Sequence, residues 1–242
     1  MTVVPSVSSA AHRTRVAQLV AAHGPDVGRL CDACVAGLPG VGGAGLAVMT
    51  SLPAQHVRYA SDPVSAQVEE LQVVLGQGPC VEAFAQGTPV LATDLTDGHW
   101  LSRWPAFAPA ALGAGARALF ALPLHAGTAR LGVIDLYRDG PGTLAGEDLA
   151  EALAFADAAT QLLLAEQLPG GSLPGSGRLF SHRAVVHQAT GMVSAQLGVP
   201  MDEAFLRLRA HAYATERHLD DVAGDVVARR FRFDETDDDA SW

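Results

Sequence analysis

The segment Leu119–Tyr137, LFALPLHAGTARLGVIDLY, decides the fold class. It holds two apolar runs, Leu119–Leu124 and Leu131–Tyr137, on either side of the compact stretch Ala126–Ala129. Runs this short, bounded by a Gly-containing turn, fit the two strands of an antiparallel hairpin better than a buried helix. Outward from this hairpin, Pro89–Leu95 reads as a further strand. The runs Leu46–Thr50 and His56–Ala60, separated by Ser51, Pro53 and Ala54, read as a second hairpin preceded by a Gly-rich loop at residues 37–45. Beyond Tyr137, Glu147–Gln167 has the period of a long amphipathic helix.

Helical spacing also marks the N-terminal part. Val16, Leu19, Val20, Val27, Leu30 and Cys34 recur near 3.6 residues, and the break at Gly24 and Pro25 predicts two helical pieces over residues 12–35. Glu69–Leu75 is helical in spacing, Gly76–Pro79 is a turn, and Val81–Gln86 is a helical turn stopped by Gly87. Residues 98–116 carry Trp100, Trp104 and Phe107 among Ala and Gly, and read as an irregular segment packing its aromatics over the sheet. This order predicts an α/β domain with a mixed, largely antiparallel sheet and flanking helices. A phosphate-cradling nucleotide fold is excluded, since no Gly-x-Gly-x-x-Gly follows a strand and the chain contains no Lys for a P-loop.

The stretch Pro169–Gly177, PGGSLPGSG, combines flexible Gly and Ser with stiff Pro and reads as a linker. Three helical segments are expected beyond it, at Ser181–Leu197, Pro200–Thr215 and Leu219–Phe231. Met201, Ala204, Phe205, Leu208 and Ala212 share one face of the second, and Leu219, Val222, Ala223, Val226 and Val227 share one face of the third. The expected organisation is an N-terminal tail and helix at 1–24, an α/β domain at 25–168, a linker at 169–177, an all-α domain at 178–233 and an acidic, disordered tail at 234–242.

The charge distribution follows this division. The chain carries a net charge of −10, which argues against a generic nucleic-acid coat. Residues 175–233 nevertheless hold eight arginines against six acids, and are the one segment with a basic balance. Cys31, Cys34 and Cys80 do not form the even, spaced set of a secreted disulfide scaffold. No apolar signal core lies between Met1 and Arg15, and Pro39, Pro53 and several glycines interrupt the uncharged stretch 33–57. A soluble, cytoplasmic protein is the expectation, with no membrane partner.

The segment HQATGMVSAQLGVPMDEAFLRLRAHAYATERHLDDVAGDVV resembles the ANTAR family of RNA-binding antitermination domains over about residues 178–232, through Gln-Ala-x-Gly, Glu-Ala, Leu-Arg-x-x-Ala and Val-Ala-x-x-Val-Val. One departure is Thr190, where the family commonly has Lys. ELQVVLGQGPCVEAFAQGTPVLATDL and LPLHAGTARLGVIDLY resemble a GAF sensor domain, over about residues 25–168. The resemblance implies a bacterial transcription antitermination regulator that pairs as a homodimer and grips two adjacent RNA hairpin loops.

Candidate RNA-binding residues are Gln188, Gly191, Arg207, Arg209, Tyr213, Arg217 and His218. Guanidinium groups hold phosphates, and aromatic or Arg planes stack on splayed loop bases. A solvated helical face is the plain alternative for any single arginine. The candidate pocket for an unknown small-molecule ligand is lined by Val48, Tyr59, Cys80, Phe84, Trp104, Phe107, Phe120 and Tyr137, with a filled apolar core as the alternative. Cys31 and Cys34 read as buried helix packing. Cys80 follows a Gly-Pro turn at a helix start, where a thiol pKa can fall, although an inert structural cysteine is the favoured reading. A cysteine-based methionine sulfoxide reductase of GAF type, and a protein-interaction regulator with a degenerate RNA face, are the competing functions. No catalytic residue, cofactor or metal site is assigned. Paired carboxylates do not stand out on any one element, and His182 and His187 are five apart, wrong for one helix face.

Overall fold

The computed structural model describes residues 9–49, 55–166, 176–215 and 217–233, so the hairpin loop at 51–54, most of the linker and the acidic tail lie outside the described residues. The chain divides into two compact units, one of Met1–Val73 and Gln77–Leu173 and the other of Val74–Gly76 and Pro174–Trp242.

The first unit opens with helices α1 (Ser9–His23) and α2 (Val27–Gly37). Asp26 caps α2, its carboxylate accepting from the Gly28 and Arg29 amides and satisfying donors that the first turn leaves free. Strands β1 (Gly43–Met49) and β2 (Gln55–Ala60) follow, then helices α3 (Pro63–Leu75) and α4 (Pro79–Gln86). The helix expected over 69–75 starts six residues earlier because Asp62 and Ser65 form a reciprocal cap: Ser65 N donates to Asp62 Oδ1 at 2.7 Å and Asp62 N to Ser65 Oγ at 3.0 Å. Pro63 fits the first helical position, where no amide hydrogen is needed. After β3 (Val90–Ala92) come α5 (Gly98–Arg103) and α6 (Phe107–Ala114), strands β4 (Ala118–Ala126) and β5 (Ala129–Arg138), and α7 (Gly146–Glu166).

Residues 98–116 are therefore two short helices rather than an irregular segment. Asp97 caps α5 through the His99 amide, and Gly115 ends α6 in the left-handed conformation. The strand expected over 89–95 is confined to Val90–Ala92.

The five strands take the order β2-β1-β5-β4-β3, and every pairing is antiparallel, so the sheet has no parallel component. The β4–β5 hairpin turns where expected, with Gly127 at φ 60°. Alternation splits the sheet into two faces. Ala44, Leu46, Phe120, Leu122, Ile134 and Leu136 pack with Leu30, Cys31, Cys34 and Phe155 in the core beneath α1, α2 and α7. The opposite face carries Ala47, Leu119, Val133 and Asp135 toward α3 and α4. Strand β1 begins at Gly43, inside the expected Gly-rich loop, because Gly43 already pairs with Tyr137 of β5, and the glycines leave room for the side chains packed on this face. A Cβ at Gly45 would lie 2.7 Å from Cγ and Cδ of Glu69.

The second unit contains α8 (Ser176–Leu197), α9 (Met201–Ala214) and α10 (Leu219–Val227). Ala189, Val193, Ala204, Leu208, Ala212, Val222, Ala223 and Val226 are buried between them. Met201, expected on the inner face, is half exposed at 49%. The third helix stops at Val227 rather than Phe231. Arg229 adopts φ 58°, and the chain turns back so that Phe231 stacks on His211 with centroids 4.3 Å apart and Phe233 meets the same ring edge-on.

Candidate functional site

Between the sheet and helices α3 and α4 lies a buried polar cluster. Glu69 projects from α3, Cys80 from the first turn of α4 and Asp135 from the middle of β5. Their donor atoms all lie within 4.8 Å of one another, and all three residues are buried. Gln72, one helical turn beyond Glu69, ties the cluster together: its Oε1 accepts from the Cys80 amide at 2.7 Å and its Nε2 donates to Asp135 Oδ2 at 3.3 Å. The Gln55 amide sits 3.6 Å from Cys80 Sγ. Gly45 makes room for the Glu69 carboxyl, and Gly78, at φ 123°, passes close to the Gln72 side chain.

The electrostatics of the cluster follow from burial. Desolvation pushes the Asp135 carboxyl up to about 6 against the pull of its hydrogen-bond donors. It drives Glu69 well above the usual carboxylate range, with the nearby Asp135 charge adding to the effect. The Cys80 thiol is also raised, by burial first and then by the two carboxyls. The lowered thiol pKa that a helix start can produce is thus not realised here, since burial outweighs the helix terminus. Among the described residues no amide, hydroxyl or guanidinium donor reaches either oxygen of Glu69 or Asp135 Oδ1.

The eight candidate pocket residues do not converge. Cys80, Phe84, Trp104 and Phe107 are buried on the α3–α6 side, where Trp104 Nε1 donates to Glu82 at 2.9 Å, and Tyr137 reaches Asp62 at 3.1 Å on that same side. Val48, Tyr59 and Phe120 belong to the other face of the sheet. A β-bulge decides this for β2: Ala47 pairs with Val57 but Leu46 with Tyr59, so Arg58 is the extra residue. Gln55 consequently faces Cys80, whereas the Tyr59 hydroxyl donates to Asp32 on α2 at 2.5 Å. Cys31 and Cys34 are buried on the α2 side, with both thiols raised by desolvation, and the sheet separates them from Cys80.

Sequence reasoning found Cys80 but missed Glu69, Gln72, Asp135 and Gln55. A signal was present. Asp135 interrupts the apolar run of β5, and Glu69 and Gln72 share with Val68 the inward face of α3.

In the second unit, Gln188 on α8 and Tyr213 on α9 are exposed, the latter at 57%. Arg207 pairs with Glu203 one turn earlier at 2.8 Å. Arg217 reaches Asp225 at 2.6 Å, and Asp225 also receives Arg230. Those two guanidinium groups hold the Asp225 carboxyl below the usual range, Arg217 first. The Arg209 guanidinium lies 5.6 Å from the Phe205 ring centroid. His218 occupies the N-cap position of α10 without a side-chain capping bond, and is exposed. Gly191 is half-buried, and among the described residues an added Cβ would meet nothing within 4 Å, so no close helix approach among them requires glycine there. Thr190 is turned inward, its hydroxyl donating to Val186 O at 2.8 Å.

The chain thus joins an antiparallel five-stranded sheet with helices on both faces to a three-helix unit. The family model of the GAF domain matches residues 16–163 and that of the ANTAR domain residues 179–227; the chain belongs to the GAF domain family and carries an ANTAR domain at its C-terminal side. A GAF sensor joined to an ANTAR RNA-binding domain fits a regulator. No curated protein matches the chain. Solved structures similar to it include the GAF domain of a phosphoenolpyruvate-protein phosphotransferase from Coxiella burnetii, at 11% identity over 66% of this chain and 97% of that one, TM-score 0.49. The corresponding Acinetobacter domain matches at 7% identity over 64% and 94%, TM-score 0.48. A type II free methionine-R-sulfoxide reductase from Thermoplasma acidophilum matches at 16% identity over 63% and 94%, TM-score 0.39. Among the described residues no helix is long and apolar enough to cross a membrane.

Proposed function

We propose that the protein is a signal-responsive transcription antitermination regulator acting in the cytoplasm, in which the GAF domain senses a small molecule and the ANTAR domain binds paired RNA hairpins as a dimer. The observation that carries this reading is the ANTAR match over 179–227, on a three-helix unit presenting Gln188, Tyr213 and Arg217 to solvent. The ion pairs of Arg207 and Arg217 do not oppose it. Such surface pairs are worth about 0–1 kcal/mol, so a phosphate can displace the carboxylate at little cost.

The reductase alternative is disfavoured by Cys80. It is fully buried, its thiol is raised, and the other two cysteines of the chain lie across the sheet, so no resolving thiol is within reach. For self-association, Val16 and Leu19 of α1 and most apolar residues of α7 are consumed in the core. On the outward face of α1, Ala10, Thr14, Ala17, Gln18 and Ala21 are exposed. That face is the proposed homodimer contact.

Titration of a paired-hairpin RNA by the full-length protein across a salt series tests the RNA reading, and sedimentation of the same samples tests the dimer. Binding that weakens with salt is expected, because neutralised phosphates release counterions. Absent or salt-independent binding would leave the protein-interaction reading in front.

A further inference from the structure

The cluster between the sheet and helices α3 and α4 concentrates three acidic donors without a cation. Two carboxyls and a thiol lie within 4.8 Å of one another, and among the described residues no Arg or His pairs with Glu69 or Asp135. Both Glu69 oxygens and Asp135 Oδ1 are fully buried, and among the described residues no amide, hydroxyl or guanidinium donor reaches them. Orphaned buried carboxyl oxygens are costly, and native proteins resolve them with a partner, a proton or a metal. Protons on Glu69 and on the Cys80 thiol can bridge both groups to Asp135. A divalent ion would satisfy all three groups at once.

The donor set has the character of a zinc site. One sulfur and two carboxylates suit a borderline-soft ion, and harder ions such as calcium and magnesium are held by oxygen alone. Zinc bonds of about 2.0–2.3 Å place tetrahedral ligands roughly 3.3–3.8 Å apart, so the donors, already within 4.8 Å, need shifts of an ångström or so. The surroundings have the form of an outer shell. Gln72 orients both Asp135 and the Cys80 backbone, and the Gln55 amide beside Sγ is able to turn its oxygen toward an ion as a fourth ligand. Gly45 keeps the space for the Glu69 carboxyl open.

We propose that Glu69, Cys80 and Asp135 form a binding site for one divalent transition-metal ion, with zinc the expected occupant, inside the GAF domain. Binding displaces the thiol proton and the carboxyl protons to solvent, so affinity rises with pH. The proposal stands independently of RNA binding.

Because the site is enclosed, the test loads it during synthesis. Full-length protein is isolated from cells grown with Zn²⁺ or Co²⁺, and its metal content and absorption spectrum are measured. One equivalent per chain is expected, with a thiolate-to-cobalt charge-transfer band for the Co²⁺ form. Cys31→Ser and Cys34→Ser should keep band and stoichiometry, whereas Cys80→Ser should lose the band and Glu69→Gln the stoichiometry. Gln72→Leu, which leaves the three ligands in place, should weaken metal retention against a competing chelator by about 10- to 100-fold, the usual effect of removing an outer-shell partner. The variants' circular dichroism checks that they fold. If Cys80→Ser misfolds, the Cys31→Ser/Cys34→Ser double variant decides, since it leaves Cys80 as the only thiol. The proposal is overturned if folded wild-type protein from metal-supplemented cells carries no bound metal, or if the charge-transfer band follows Cys31 or Cys34.

Discussion

Substituting Gly45 by Ala tests the packing of the buried cluster directly. The β1 backbone at Gly45 has no positive φ, so alanine is conformationally acceptable and should by itself favour the strand by about 0.5–1 kcal/mol. Against this, the new methyl would sit 2.7 Å from both Cγ and Cδ of Glu69, a separation real Cβ atoms essentially never show. Forcing apart a well-packed pair costs about 1–3 kcal/mol, so the variant should lose up to about 2.5 kcal/mol net. Urea unfolding in chelator, followed by tryptophan fluorescence, is a suitable assay because Trp104 is buried in the sensor unit and stacks on Trp100 at 4.9 Å. The decisive measurement is the double-mutant cycle with Glu69→Ala. With the carboxylate side chain removed, the Gly45→Ala penalty should vanish, giving a coupling of about 1–3 kcal/mol. Additivity within about 0.5 kcal/mol, the behaviour of independent sites, would refute the reasoning and the close approach of Glu69 to β1.

Metal-free protein should become less stable as pH rises from about 4, the unfolded carboxylate range, through 6 and above. Asp135 and Glu69 keep protons in the folded state that the unfolded chain has already lost, so the stability they contribute is fully present below that range and lost through the raised folded values. Glu69→Gln should flatten this slope, and an unchanged slope in urea midpoints between pH 5 and 8 would contradict it. In the second unit, Gly191→Ala should raise helix stability by about 0.5–1 kcal/mol, since none of the described residues lies within 4 Å of the added methyl. Loss of RNA binding or dimerisation in this stable variant, read by gel shift and sedimentation, would place Gly191 at an intermolecular contact. Arg207→Ala and Arg217→Ala should each reduce the log–log salt slope of RNA binding by about 0.7, and slopes equal to wild type would remove those residues from the interface. Deleting residues 234–242, which carry five acids, should tighten binding at low salt only, because the tail competes with phosphate until screened; tightening that persists at high salt would point to another cause.

The sequence by itself determined the elements whose signals are local. The Leu119–Tyr137 hairpin, the break at Gly24 and Pro25 and the helix after residue 146 follow from periodicity and turn chemistry, which act over a few residues. The start of α3 was equally local, but its Asp62-Pro-Val-Ser65 cap was not recognised, and the helices at 98–114 were hidden by Gly, Pro and Ala of weak pattern. Tertiary structure alone decided which side chains meet. The bulge at Arg58 turns Gln55 toward Cys80 and Tyr59 toward α2, a change of face that alternation read along β2 does not show. Asp135 marks itself as an acid within an apolar strand, yet its neighbours Glu69 and Cys80 come from elements more than fifty residues earlier in the chain. Their meeting depends on the antiparallel order of five strands and on Gly45 leaving a gap over β1. Such long-range packing brings the acids together and removes water from them, which is why the chemistry of the cluster exists only in the folded chain.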